Sequence, residues 1–417
     1  MAEVLPLTAL HYDLKAISSL GDVTAPPYDV ITPEMRDDLL GRSPFNVVEI
    51  DLPEAPNGTD RYEYAAQTME SWTLEGILKS DNEPAIWALE QDYTGPDGRS
   101  MTRRGILVKV RLAEYGQGAI RPHERTQPGP KEDRLRLTRA TRHNLSPIFS
   151  LHPGTTWDLL AADVEGDPWA QVTDDDGTVH RIWRIPRQET ISAVVRRLAD
   201  AELLIADGHH RYETALTYAR EVGGDGAHQY VMMALVSLED PGLTVFATHR
   251  LLTGLDPDKQ QALRDTALEL FEITEVERAN LIPGADAPPA SFGYMDSHHM
   301  APRQMTLKDP AVLDEVLDGR SPAYRSLDAA ALEAIVLRGA LGMSQDDIAA
   351  KRGIAYQSSL EGALDKLESK EADAAFFLRP TPIGQVRAVA AAGETMPPKS
   401  TYFFPKLLTG LVFNPLS

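Results

Sequence analysis

The chain has 417 residues, 42% hydrophobic and 25% charged, enough apolar material for two domains or for one large core with an elaborated second part. Asp and Glu number 62 against 41 Lys and Arg, and the resulting net charge of -21 works against nonspecific binding to nucleic acid. Cysteine is absent, which excludes disulfides, thiolate metal sites and thiol nucleophiles; no apolar run approaches the roughly 20 residues of a membrane span, and the N-terminus lacks the pattern of a secretory signal, so a cytoplasmic protein is expected.

Near the N-terminus, VTAPPYDVI and SPFNVVEIDLP are short runs punctuated by proline and read as strand and loop. In the first of these, Tyr28 and Asp29 follow two prolines that stiffen the chain. A helix is expected over DRYEYAAQTMESWTLEGIL, where Tyr62, Ala65, Ala66, Met69 and Trp72 step by three and four. AIWALEQDY and RGILVKVRL read as a strand pair joined by TGPDGRS. The segment that follows breaks the acidic trend: Arg121, Arg125, Lys131, Arg134, Arg136, Arg139 and Arg142 stand against Glu124, Glu132 and Asp133, a local net of +4 that suggests a small anionic ligand. Taken singly, Arg134, Arg136 and Arg139 read as solvated helix charges, whereas His123, Glu124 and Arg125 cluster in PHERT, where a carboxylate among cations can hold a hydroxyl or accept its proton.

Further along, VTDDDGTVHRIWRI reads as a hairpin around Asp-Gly, and ETISAVVRRLADAE as a helix with Ile191, Val194, Val195 and Leu198 on one stripe. YVMMALVSL and GLTVFATHRLL read as strands, the latter ending in the polar triplet Thr248, His249 and Arg250. From about residue 255 the chain turns helix-rich and acidic, with LIPGADAPPA as an internal boundary. Strands mix with helices throughout, so the class is α/β or mixed α+β, with residues 1–255 as a core and 256–417 as a helix-rich region returning to it through 371–417. Within that region, LGMSQDDIAAKRGIAYQSSLEGALDKL has the outline of a helix-turn-helix, but Glu361, Asp365 and Glu368 against Lys366 would repel a DNA groove, and a structural helix pair is expected over 341–368. Lys399, Ser400 and Thr401 imitate the end of a P-loop without its glycines, so no nucleotide loop is read there.

The densest chemistry lies in LLIADGHHRYETAL, residues 203–216. LLIA is the continuous aliphatic run of a buried strand, and Tyr212, Ala215, Leu216 and Ala219 recur at helix spacing. The sequence therefore predicts strand, tight turn at Asp207 and Gly208, then helix, with His209, His210 and Arg211 in the first helical turn. Free N–H groups and the positive dipole end at that position attract an anion, whereas two histidines and an arginine oppose the dipole unless something negative binds. A phosphate cradle follows, with Arg211 as clamp and a histidine as donor or proton carrier. The plainer alternative is Asp207 capping a helix of ordinary surface histidines, and a metal site on Asp207, His209 or His210 is a third reading.

APPYDVI, SPFNVV, PHERT with DRL and SPIF, ADGHHRYETAL, PGLTVFATHRL, EADAAFFLRPTP and GETMPPKSTYFFPKLLTGLVF, in that order, resemble the bacterial and archaeal family called domain of unknown function 1015. The Asp-Gly-His-His-Arg element is also similar to a motif of the ParB/sulfiredoxin superfamily, which includes partition proteins and kinases of free serine. That resemblance implies a phosphate-binding core of that kind and transfer of a phosphoryl group from ATP, ADP or pyrophosphate to the serine hydroxyl, with Mg²⁺ and a carboxylate base. Sulfiredoxin chemistry itself needs a cysteine and is excluded here. Asp207, Gly208, His209, His210 and Arg211 match the phosphate motif, and Asp207 is the expected magnesium ligand. Glu124 is the candidate base on its own chemistry, and His123, Arg125, Arg142, Thr248, His249, Arg250 and Lys399 are the candidates to complete the anion site. The expected partners are serine or phosphoserine and a phosphate donor, with a homodimer left open and no nucleic acid or membrane. A phosphoserine phosphatase using the same pocket, or a nucleotide-sensing DNA-binding regulator, are the alternatives.

Overall fold

The computed structural model describes residues 2–95, 98–116, 118–124 and 128–417. The chain divides into two compact units, the first comprising 1–122, 126–244 and 405–417 and the second 123–125 and 245–404.

The first unit is built on a mixed sheet whose neighbours run, in order, Ile120–Arg121, Leu203–Asp207, Ile148–His152, Tyr230–Ser237, Ser100–Arg111, Ile86–Thr94, Val179–Ile185 and Ala170–Thr173. Val4–Leu5 pairs with the far end of Ser100–Arg111. The two expected hairpins are present as antiparallel pairs, and among the described residues of this sheet Leu203–Asp207 with Ile120–Arg121 and Tyr230–Ser237 with Ile148–His152 run parallel. Ile86, Ile106, Val108, Leu203, Ile205, Met233 and Leu235 lie in one buried cluster with Ile191, Val194 and Leu198 of the helix Gln188–Leu198, which is why that helix carries a single apolar stripe.

The helix Arg61–Leu74 starts at Asp60, whose carboxylate accepts from the N–H groups of Tyr62 and Glu63, and it buries Tyr62, Ala65, Met69 and Trp72 as the spacing predicts. The N-terminal runs differ from the expectation. Tyr28–Val30 is a single 3-10 turn, and Val48–Asp51 is a short helix although two of its four residues, Val48 and Ile50, are β-branched. Buried Asn46 is the reason: its Oδ1 accepts from the Val48 N–H at 3.0 Å, and its amide donates to the carbonyls of Asp22 and Thr24, so a tertiary anchor overrides local strand preference.

The second unit holds an antiparallel sheet in the order Phe271–Glu275, Arg303–Leu307, Ser291–Asp296, Ala374–Phe377, His249–Leu252 and Ile354–Gln357. The helices expected after residue 255 are interleaved with these strands. The structural helix pair expected over 341–368 is corrected here. Gln345–Ala349 and Leu360–Glu368 are helices, but Ile354–Gln357 between them pairs with His249–Leu252, and Ala363 and Leu367 pack on Leu251, Ala375 and Phe377. The segment is a sheet edge with a covering helix, and Ile354, Ala363 and Leu367 are buried there.

Candidate phosphate-binding site

The strand Leu203–Asp207 pairs along its two edges with Ile120–Arg121 and Ile148–His152, and successive residues from Leu203 through Ala206 are buried, so both of its faces are out of water and the run is continuously aliphatic. Its register against Ile148–His152 shifts between Ile205 and Asp207, leaving Ala206 as an extra residue before Asp207 pairs with Phe149. Gly208 then adopts φ 95° and ψ 27°, a left-handed conformation that strains any side chain, and a Cβ there would stand 3.0–3.1 Å from the Arg211 guanidinium.

The helix His209–Val222 follows with no side-chain cap and no acidic residue in its first turn. Tyr212, Ala215, Leu216 and Ala219 are buried, as the spacing predicts. His209 is also buried, at 5% exposure, and His210 is half-buried, so neither is an ordinary surface histidine. Arg211 turns back from the helix: its Nη1 donates to Ser146 Oγ at 2.9 Å and to the Pro147 carbonyl at 2.5 Å. Asp207 Oδ2 accepts from Lys406 Nζ at 2.9 Å, an ion pair that sequence reasoning missed; the signal was a second lysine in the same C-terminal motif as Lys399.

Below Arg211 lies a cavity of about 40 Å³ whose wall includes Tyr28, Asp51, Arg134, Ser146, Arg211 and Thr214. Arg134 corrects the expectation of a solvated charge. It is 6% exposed, donates to Asp51 Oδ1 at 2.9 Å and to Asp133, and lies over the Tyr28 ring at 4.4 Å. Burial works against its charge, but the Asp51 and Asp133 carboxylates outweigh burial and raise its pKa. The helix Pro128–Thr141 turns Arg134, Leu137 and Thr141 inward at steps of three and four, while Arg136 and Arg139 stay outside and pair with Asp60 and Glu221. Arg121 and Lys131 likewise pair with Glu202 and Glu213. The local excess of positive charge is thus met by carboxylates brought from distant sequence and does not by itself mark an open anion site.

Arg142 closes the helix Pro128–Thr141 in a left-handed conformation, φ 53°, with its N–H on the Thr138 carbonyl and its side chain exposed. Arg125 lies outside the described residues.

The other expected site residues belong to the second unit, where the turn through Pro397, Pro398, Lys399, Ser400 and Thr401 gathers several of them. His123 Nε2 lies 3.0 Å from Thr401 Oγ1, Glu124 Oε1 accepts from the Lys399 N–H at 3.4 Å, and Arg250 Nη2 donates to the Pro398 carbonyl at 3.3 Å. Arg250 is buried, also donates to the Thr248 carbonyl, and sits 5.4 Å from the Tyr356 ring; its pKa is lowered by burial. Lys399 takes φ 57° and its side chain is exposed.

His249 is not on the same face as Arg250, because successive side chains of a strand alternate. It is fully buried against Phe377, and its Nδ1 accepts from the Leu378 N–H at 3.2 Å. Burial, seconded by Arg250, pushes the imidazole down to about 4. The neutral ring therefore carries its proton on Nε2, a buried donor with no hydrogen-bond partner among the described residues; Thr248 Oγ1 is in the same position.

Among the described residues no three His, Asp or Glu side chains converge as a metal site. Asp207, the expected magnesium ligand, already faces the Lys406 ammonium, so the donor set does not fit a protein-built magnesium centre. No described helix is long and apolar enough to cross a membrane.

The chain belongs to the family described as protein of unknown function (DUF1015), whose profile matches residues 4–330. No curated protein matches it in sequence. Among solved structures it is similar to a free serine kinase in complex with AMP, at 14% identity and TM-score 0.38 over 72% of this chain and 88% of that one. It is similar to a conserved hypothetical protein from Pyrococcus furiosus, at 16% identity and TM-score 0.36 over 69% of this chain and 89% of that one. A third similarity is to SbnI with a C-terminal truncation from Staphylococcus aureus, at 11% identity and TM-score 0.33 over 71% and 78% of the two chains.

Proposed function

We propose that this protein is a phosphotransferase that moves a phosphoryl group from a nucleotide or pyrophosphate to the hydroxyl of a small amino acid, serine first among them. The observation that carries the reading is the Gly208 turn: a buried strand delivers a left-handed glycine to a helix that begins with His209, His210 and Arg211, with no side-chain cap and no acid in its first turn. Such a helix start is completed electrostatically by an anion, and phosphate fits it. Phosphoryl transfer asks for positioning and charge stabilisation and needs no covalent nucleophile, which suits a chain without cysteine. The match of Asp207 through Arg211 to the motif of the serine kinases supports the same chemistry.

In this reading the start of the helix holds the donor phosphate, and Asp207 with Lys406 fixes the rim of the turn. Glu124 is kept as the candidate base, and Arg142, His123, Thr248, His249, Arg250 and Lys399 as candidates for anion contacts, on their own chemistry alone, each tested by its own variant. The donor is expected to carry its magnesium on its own phosphate oxygens, since Asp207 is already paired.

The test is to incubate the purified protein with serine plus ATP, ADP or pyrophosphate, and separately with phosphoserine alone, following phosphate by ³¹P NMR. Phosphoserine formation from serine is the expected result, and release of phosphate from phosphoserine alone would redirect the reading to hydrolysis. No phosphate movement in any arm overturns it. Full activity in Arg211→Ala would remove the turn from the mechanism, and full activity in Glu124→Gln would remove the base.

A further inference from the structure

Arg103, on the strand Ser100–Arg111, is 1% exposed, and among the described residues its hydrogen bonds go to neutral acceptors and to no carboxylate. A buried cation without a counter-charge in contact is a costly placement, so its few partners show what it holds. Nε and Nη2 donate to Gln91 Oε1 at 3.0 and 2.6 Å, and Nη2 also donates to the Pro405 carbonyl at 2.5 Å. The guanidinium lies 4.5 Å from the centre of the Phe149 ring. Burial brings its pKa down to about 10, against the pull of Tyr93, Asp240 and Asp207, so the group stays charged at neutral pH.

An arginine only donates, so Gln91 presents its oxygen to Arg103 and its amide NH₂ elsewhere. That NH₂ donates to the Lys406 carbonyl at 3.2 Å and to His180 Nδ1 at 3.2 Å, and His180 in turn donates from Nε2 to Asp174 Oδ2 at 2.8 Å. Gln91 cannot turn round without setting donor against donor at Arg103. The carbonyls of two consecutive residues, Pro405 and Lys406, are thus fixed from the interior of the first unit.

The side chain of Lys406 leads from this clamp to the Gly208 turn. Its Nζ meets Asp207 Oδ2 at 2.9 Å, and the two side chains are 18% and 26% exposed, so the pair borders solvent. Phe149, on which Arg103 lies, is the register partner of Asp207 in the neighbouring strand. One buried cation and one accessible cation therefore bear on the carboxylate that immediately precedes Gly208. Left alone, that carboxylate would repel an anion at the helix start.

We propose that Arg103 and Gln91 are positioning residues for anion binding at the Gly208 turn: they hold the backbone of Pro405 and Lys406 so that the Lys406 ammonium stays on Asp207 and cancels its repulsion of a phosphate. The inference rests on the phosphotransferase reading for the place of the phosphate; it concerns binding and requires no transfer.

The experiment is calorimetric titration of the full chain with sodium pyrophosphate, without acceptor or divalent cation. Lys406→Met keeps the length of a partly exposed side chain and removes its charge; it is expected to weaken pyrophosphate at least about tenfold. In an Asp207→Asn background the same substitution is expected to change affinity by less than about threefold, since no carboxylate is left to neutralise. Arg103→Lys keeps the charge but loses the planar fork that spans Gln91 and the Pro405 carbonyl. It is expected to weaken pyrophosphate about fivefold or more, and by less than about threefold beside Asp207→Asn. If Arg103→Lys does not unfold cooperatively, Gln91→Glu takes its place with the same loss expected, because it keeps a partner for Arg103 while withdrawing the donor from the Lys406 carbonyl.

Unchanged affinity in Lys406→Met, or no pyrophosphate binding by the wild type, overturns the inference. So does a loss as large beside Asp207→Asn as in its absence, which makes Lys406 a direct phosphate contact, and so does a loss confined to Lys406→Met, which removes the role of Arg103 and Gln91. The two readings fail separately. Pyrophosphate bound with these dependences but never transferred sustains the inference and sinks the phosphotransferase; transfer by Lys406→Met at the wild-type KM for the donor does the reverse.

Discussion

At Gly208 the backbone takes φ 95°, and the helix behind it begins with neither a side-chain cap nor an acidic residue in its first turn, the two usual devices that quiet a helix N-terminus. A methyl group there would be strained by the left-handed backbone and would press on the Arg211 guanidinium at 3.0–3.1 Å. Gly208→Ala is therefore expected to lower stability by about 1–2 kcal/mol in urea denaturation and to weaken pyrophosphate binding, since displacing Arg211 disturbs both of its neighbours. His249 makes a separate prediction. Its folded pKa, about 4, lies below the ordinary histidine value, so the unfolded chain binds more protons between those two limits. The stability it contributes is complete above pH 6.5 and is lost as the pH falls from about 6.5 to about 4, by at most roughly 3 kcal/mol. His249→Gln, which retains an acceptor for the Leu378 N–H, is expected to lose less stability than the wild type over that window when urea midpoints are compared.

At the scale of elements, the helix Pro128–Thr141 is fixed from two directions. Arg61 to Asp133 and Arg136 to Asp60 tie it to the region of Arg61–Leu74, while Lys131 to Glu213 and Arg139 to Glu221 tie it to His209–Val222. Exposed pairs of this kind contribute little each, so they set register while buried Arg134 and Leu137 carry the packing. In the second unit, close approach of backbones decides residue choice. Gly293 in Ser291–Asp296 lies so near the Leu281 carbonyl that a Cβ would collide with it, and Phe377 Cβ would stand 2.9 Å away. Gly293→Ala is expected to destabilise that sheet by at least about 2 kcal/mol, read as faster amide exchange in Ala374–Phe377 and Arg303–Leu307.

For the whole molecule, a net charge of -21 and the pairing of the basic segment with carboxylates point the same way. The protein is expected to show no salt-dependent retention of double-stranded DNA by fluorescence anisotropy, even at about 50 mM salt where counterion release is strongest. Retention that fell steeply as salt rose would count against the charge argument. The segment that resembled a DNA-reading helix pair gives no reason to expect retention, because Ile354–Gln357 is committed to the sheet.

The strand, glycine turn and helix of residues 203–222 were legible in the sequence because each rests on local rules: a continuous aliphatic run, a residue without a Cβ, and apolar spacing of three and four. The hairpins and the stripe of Gln188–Leu198 were legible for the same reason. The helical turn at Val48–Asp51 and the strand Ile354–Gln357 were not, since Asn46 and the partner strand that fix them act across the fold. The candidate site divides in the same way. Its phosphate turn is a property of adjacent residues, whereas Lys406 on Asp207, Arg134 on Asp51 and the meeting of Asp51, Thr214 and Arg211 around one cavity join positions far apart in the chain. Local sequence sets backbone conformation and the sign of charge; only tertiary packing decides which charges neutralise one another and which polar groups are buried.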